Sequence, residues 1–186
     1  MWATLRLGSN PRFFAQGPVS LPRDTERGTG ILEIHRNRKP SEGQDLPLQR
    51  SLFPPSDPKS HLALGRALAP LRDEGVLIIG SGSSYHNLGA LMSERIGFYP
   101  NKPREESAQF DSWLRKTLTD FSSRQRSQHL LNWERAPFAR AVHPQEDHLV
   151  PLHVVVGAAE DESAHLIYAQ DDFFGKITMS SYRFGN

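Results

Sequence analysis

Two short stretches of this chain hold residues whose types and spacing could do chemistry. The first is Gly80-Ser81-Gly82-Ser83-Ser84-Tyr85-His86-Asn87-Leu88, which follows an apolar run at 76–79 and passes through a glycine- and serine-rich turn to a histidine. The second is Ala141-Val142-His143-Pro144-Gln145-Glu146-Asp147-His148-Leu149-Val150-Pro151-Leu152-His153, with three histidines and two carboxylates leading into an apolar segment. Imidazole and carboxylate are the ligands that non-haem iron and zinc accept. An imidazole with a pKa of about 6.5 can also take up and return a proton near neutrality. A lone histidine after a strand is ordinarily a polar loop residue. The second cluster is what makes His86 a candidate for more than that.

The elements that must position these groups can be read around them. Residues 76–79, apolar or β-branched and bounded by Gly75 and Gly80, have the pattern of a strand covered on both faces, as in a parallel sheet between helices. In such sheets ligands bind beyond the carboxyl ends of the strands, where His86 falls. The expected fold class is therefore α/β, with a central, mostly parallel sheet flanked by helices. Upstream, Ser56 or Asp57 caps a helix with Pro58 in its first turn, and Leu64, Leu68 and Leu71 share a face before Gly75 closes the element. Residues 46–53 read as a strand weakened by Pro47. Asn87 to Met92 starts a short helix and residues 99–106 read as a loop. Phe110, Trp113, Leu114 and Leu118 recur at helical spacing as core packing, as do Leu130, Leu131 and Trp133. His129 reads as a surface residue. Residues 148–159 carry strand-favouring valines, but Pro151 near the start and Gly157-Ala158-Ala159 at the end suit a buried helix, on which His153 reads as a satisfied interior imidazole. Residues 176–184 form a final strand.

Taken together, the two histidine stretches resemble the signatures of the class III extradiol ring-cleavage dioxygenases, in the branch that includes DOPA 4,5-dioxygenase. Further likeness lies in Asp57-Pro58 followed by His61-Leu62-Ala63-Leu64-Gly65-Arg66-Ala67-Leu68, in Phe110-Asp111-Ser112-Trp113-Leu114, in the stretch from Trp133-Glu134 to Ala136-Pro137, and in the closing residues from Gly175-Lys176 to Phe184-Gly185. It covers roughly residues 45–185. The resemblance implies a catechol ring opened beside its two hydroxyls, with catechol and dioxygen as small-molecule partners and a mononuclear Fe(II) or Zn(II) site. It also implies that His148 is a metal ligand and that His86 is the acid/base group or an additional metal contact. Ser83, Tyr85 and Asn87 would then line the substrate pocket. His143 lies in the same motif without an assigned role. Members of the family begin with a Gly-His-Gly-Ser-Pro motif and continue to a Ser-Ala-His-Trp motif, and neither occurs here. The family's Asp-His-Gly segment would fall on Glu26-Arg27-Gly28-Thr29, where a cation that does not deprotonate replaces imidazole. Unless Glu146, His143 or a residue such as His35 substitutes, the ligand set is short.

At 186 residues the chain suffices for one domain with a sizeable core. Residues 1–44, with Pro11, Pro18, Pro22, Pro40 and a basic cluster at Arg36, Arg38 and Lys39, read as a divergent, poorly ordered segment. The only strand expected there is at 30–34, and residues 45–186 read as a dioxygenase-like domain lacking its N-terminal side. With 22 Lys and Arg against 21 Asp and Glu, a net charge of +1, nothing draws the chain toward nucleic acid or an anionic membrane. The absence of cysteine excludes disulfides and thiolate metal sites. No apolar stretch is long enough to span a bilayer or form a signal-peptide core, so a cytoplasmic location is expected. Two readings compete with an active dioxygenase. One is an inactive fragment of the same family. The other is a zinc hydrolase built on His143 and His148, whose spacing departs from the helical His-Glu-x-x-His pattern.

Overall fold

The computed structural model describes residues 2–5, 31–36, 48–51, 57–94 and 102–185. Six strands make one sheet: β1 (Trp2–Leu5), β2 (Ile31–Arg36), β3 (Leu48–Ser51), β4 (Val76–Ser81), β5 (Ala164–Phe173) and β6 (Ile177–Phe184). Their spatial order is β3-β2-β4-β1-β6-β5. The expectation of a mostly parallel sheet is corrected here. β1–β4, β2–β3, β2–β4 and β5–β6 are antiparallel, and only β1–β6 is parallel. The apolar run at 76–79 reports how well β4 is covered, and that does not depend on the direction of its neighbours. β4 alternates buried and half-buried positions, the signature of a strand with one deeply packed face.

The helices are α1 (Pro58–Leu68), α2 (Leu88–Glu94), α3 (Lys102–Thr119), α4 (Ser123–Leu131), α5 (Ala139–Val142) and α6 (Val150–Ala159). Asp57 caps α1, accepting from the N–H groups of Lys59 and Ser60 with Pro58 in the first turn. The start of α3 at Lys102 replaces part of the loop expected at 99–106. Every residue of α6 is buried. This favours helix over strand, because a helix satisfies its own backbone groups in a dry interior.

The register through β1 places Gly80 and Tyr182 opposite the same residue, hence on one face of the sheet. That face receives both main helices. Gly80 abuts Pro151 and Val155 of α6, and the Ser107 hydroxyl of α3 accepts from the Thr178 N–H of β6. The described helices therefore do not sandwich the sheet as expected from the sequence. α1 forms a further layer on α6. Its buried residues are His61, Leu62 and Gly65; of the expected stripe, Leu68 and Leu71 are half-buried against the core and Leu64 is exposed. The reason is a glycine crossing. A Cβ on Gly65 would lie 2.0 Å from the Val154 carbonyl oxygen, and one on Gly157 would lie 2.2 Å from that of Leu62. The two backbones touch where no side chain fits, and this crossing fixes which face of α1 turns inward.

Two strands come from the segment 1–44. β2 covers the short strand expected at 30–34, lies inside the sheet and sends Leu32 into the core. Residues 6–30 and 37–47, with Arg38 and Lys39 of the basic cluster and the Glu26 to Thr29 segment, lie outside the described residues.

Candidate metal and acid/base site

β4 ends at Gly80-Ser81 and is followed by Gly82, and these two glycines determine what can approach. A Cβ on Gly82 would sit 2.1 Å from the His148 carbonyl oxygen, and one on Gly80 would sit 2.5 Å from that of Pro151. The strand end therefore lies directly against the chain that enters α6, closer than any other residue would permit. That contact brings the two histidine stretches together. The His86 and His148 rings stack with centroids 3.5 Å apart and planes inclined by 21°.

The turn carrying His86 is docked by hydrogen bonds to the segment after α5. The His86 backbone N–H donates to the Val142 carbonyl at 3.0 Å. The Asn87 side-chain amide donates to the Ala141 carbonyl at 2.7 Å, while its oxygen accepts from the Ala90 N–H at 2.9 Å and so caps α2. Ser83 Oγ donates to the Tyr85 carbonyl at 2.5 Å, and Ser84 Oγ accepts from the Ser180 N–H at 3.3 Å.

On the other side, Glu146 closes the turn into α6, its carbonyl accepting from the N–H groups of Leu149 and Val150. The Glu146 carboxylate accepts from Arg140 Nη1 at 2.7 Å, and Arg140 also pairs with Glu134. Of the two acidic residues in the motif, it is Asp147 that joins the histidines. Its Oδ1 lies 3.8 Å from His86 Nδ1, too long for a hydrogen bond, and has no hydrogen-bond partner among the described residues. Donor atoms of His86, Asp147 and His148 all fall within 4.8 Å of one another. Burial, and then the neighbouring His148, lowers the His86 pKa below its usual value, with Asp147 opposing. The ring is thus neutral near pH 7, the state needed for a ligand or a base.

The other sequence candidates fall as follows. Tyr85 is 2% exposed and belongs to the core. The amide of Asn87 is engaged at both ends, and Ser83 is half-buried. A groove of about 360 Å³ lies elsewhere, lined by Trp113, Gln128, His129, Asn132, Arg135 and Ala136. The backbone of His35 pairs with Leu77 in the sheet, four residues before the end of β4. His153 is fully buried on α6, its Nδ1 3.2 Å from the Leu149 carbonyl oxygen and its Nε2 3.1 Å from that of Leu130. Sequence reasoning named Glu146 rather than Asp147 as a possible substitute ligand and missed what Gly80 and Gly82 do. The signal for the glycines was their position at the end of a buried strand.

Residues 43–185 match the family model described as the catalytic LigB subunit of aromatic ring-opening dioxygenase. The chain is 40% identical over 142 residues to a Beta vulgaris protein named 4,5-DOPA dioxygenase extradiol, the alignment covering 75% of this chain and 50% of the relative. It is 36% identical over 148 residues to the dioxygenase tasH of Hapsidospora irregularis, covering 76% and 44%. It thus spans about half the length of the curated relatives it matches. In fold it is similar to the crystal structure of an uncharacterised Escherichia coli K12 protein, with a TM-score of 0.54 and 24% identity over 71% of this chain and 52% of the other. No described helix is long and apolar enough to cross a membrane. The family match runs through both histidine stretches and the glycine-built contact between them, and by it this chain belongs to the LigB family of aromatic ring-opening, class III extradiol dioxygenases.

Proposed function

We propose that the chain carries the acid/base half of an extradiol ring-cleavage site acting on a catechol of the DOPA type, with a mononuclear Fe(II) or Zn(II) held by His148 and Asp147 and contacted by His86. The observation that carries this reading is the convergence of His86, Asp147 and His148, with Asp147 Oδ1 buried and lacking a hydrogen-bond partner among the described residues. Two imidazoles and a carboxylate suit either metal. When bound, the metal would draw charge from the catecholate and bring dioxygen beside it. The protein's own part is proton handling and orientation. Asp147 beside His86 Nδ1 favours the tautomer with its proton on that nitrogen. This leaves a single lone pair, on Nε2, which either contacts the metal or, as the acid/base group, accepts the proton of the second catechol hydroxyl and later returns it. The Ser83 hydroxyl is the polar group of the turn best placed to meet substrate, while Tyr85 and Asn87 shape the turn that presents it.

A second reading, an inactive family member that binds metal without turnover, is favoured by the size of the donor set, since one group of three is found among the described residues. Both are tested with the metal-free chain titrated with Zn(II), then loaded anaerobically with Fe(II) and given DOPA and air. Zinc binding lost in His148→Ala, together with a yellow ring-opened product that is also lost, supports the first reading. Zinc binding without product supports the second. A wild-type chain that binds no zinc overturns both.

A further inference from the structure

Three motifs of the sequence have no part in the site so far: Phe110 to Trp113 on α3, Trp133 ahead of α5, and His143 itself. In the structure they meet at one point. The His143 ring is fully buried. It stands edge-on to Phe110 with centroids 5.2 Å apart and to Trp133 at 6.1 Å. Phe110 in turn leans on Trp113 at 5.3 Å, and the Arg140 guanidinium lies 4.7 Å from the Trp133 ring centroid. This is an aromatic socket holding a polar ring. Neither ring nitrogen completes a hydrogen bond within the described residues, an arrangement that carries a cost an apolar ring of similar size would avoid.

The backbone around the socket explains why an imidazole sits there. Ala141 and Val142, the two residues before His143, supply the carbonyls that accept from the Asn87 side chain and the His86 N–H. The His143 N–H itself donates to the Ala139 carbonyl at 2.8 Å, closing α5. Beyond His143 the chain turns through Pro144, whose carbonyl accepts from Arg140, to reach Asp147 and His148. His143 thus stands at the junction between the segment that docks the His86 turn and the loop that carries His148.

We propose that His143 is a positioning residue, anchored between Phe110 and Trp133, which fixes residues 141–143 against the His86 turn and so sets the spacing of His86 and His148. Burial pushes its pKa down to about 3, with the backbone of Ser84 opposing, so the ring is neutral at ordinary pH and its polar edge acts on the turn itself. Ser84 is tied onward to Ser180 of β6. The turn is thus fastened at 86 and 87 to 142 and 141, and the His143 ring stands beside the backbone of Ser84. Packing alone would be served as well by phenylalanine, whereas positioning needs the polar ring.

The proposal rests on the site reading only for the two histidines it serves, and its main test needs no metal. In the metal-free full chain, His143→Phe is expected to melt close to wild type. Amide exchange at His86, normalised to Val154 in α6, should nevertheless rise at least tenfold, and the nuclear Overhauser contacts between the His86 and His148 rings should be lost. His143→Gln, which keeps a donor and an acceptor, should recover most of the protection. Phe110→Leu, which loosens the socket while leaving His143 in place, should raise His86 exchange in the same direction. Wild-type protection at His86 in a folded His143→Phe or Phe110→Leu chain would overturn the proposal. A separate Zn(II) titration, expected to weaken at least tenfold in His143→Phe, keeps the two questions apart. A wild type that binds no zinc defeats the metal reading and leaves the exchange result to decide this one.

Discussion

Acid should unfold this protein through its buried imidazoles, and His143 sets the scale. Its pKa falls from the ordinary 6.5 to about 3 because burial penalises the charged ring. Between those two values the unfolded chain binds a proton that the folded chain refuses. Protonation therefore favours the unfolded state, and stability drops as the pH falls below about 6.5. Taken over the whole interval the difference is worth about 5 kcal/mol, and by pH 5 about 2 kcal/mol of it is already lost. Against a total of about 5–15 kcal/mol for a domain, that is a large share. His153 and His86 are shifted in the same direction by burial. Asp111 opposes them, because burial raises its pKa and lets the folded state keep a proton. Those groups are common to wild type and to His143→Gln, so the difference between the two proteins isolates His143. Urea unfolding followed by tryptophan fluorescence should show the wild-type midpoint moving down by about 1 M between pH 7.5 and pH 5 relative to the variant, for a slope of about 2 kcal/mol per M. Parallel pH dependences in the two proteins would refute the reasoning, since the imidazole would then be neither buried nor refused its proton.

Four further perturbations follow from the contacts in the structure. Gly82→Ala forces a Cβ to 2.1 Å from the His148 carbonyl oxygen, and should cost about 1–3 kcal/mol and separate the His86 and His148 rings. Gly89→Ala, whose Cβ would meet only Asn87 Oδ1 at 3.6 Å, should be neutral or stabilise α2 by up to about 1 kcal/mol, so paired thermal melts of the two variants test the close approach. Saturating Zn(II), at about 100 times its dissociation constant, should raise the unfolding free energy by about 2.7 kcal/mol, with the rise lost in His148→Ala and reduced in Asp147→Asn. Arg126, 2% exposed, donates to the Glu160 and Glu162 carbonyls at 2.6 and 2.9 Å. Arg126→Met should therefore cost about 3 kcal/mol in denaturant titration while leaving zinc binding unchanged.

Much of the fold was legible because it depended on local rules. Asp57-Pro58 marks a helix start wherever it occurs. The α6 segment resolved as helix because Pro151 fits a first turn, and residues 176–184 alternate as a strand should. What could not be read was set by distant parts of the chain. The direction of the strands beside β4 depends on where β1 and β2 arrive from, and residues 76–79 contain nothing about that. β5, running from Ala164 to Phe173, was not anticipated because its residues are mostly exposed or half-buried and it is held by pairing with β6 rather than by an apolar pattern. The inward face of α1 was misread because its closest contact is made by Gly65, and a residue without a side chain leaves no mark on a hydrophobic stripe.

The same point governs the site. His86 and His148 were identifiable as chemical groups, but their types did not determine that they would touch. Contact requires two backbones to approach within the space a methyl group would fill, and only Gly80 and Gly82 allow that at the end of β4. Asp147 then joins the pair because Glu146, its neighbour, is taken by Arg140, which also holds Glu134. Had Arg140 been absent, either carboxylate could have turned toward the histidines, and the sequence alone would offer no choice between them. The composition of the site is therefore decided one step outside it, by two glycines that admit His148 and an arginine that removes Glu146. Variants at those three positions should alter zinc binding without touching any of the proposed ligands.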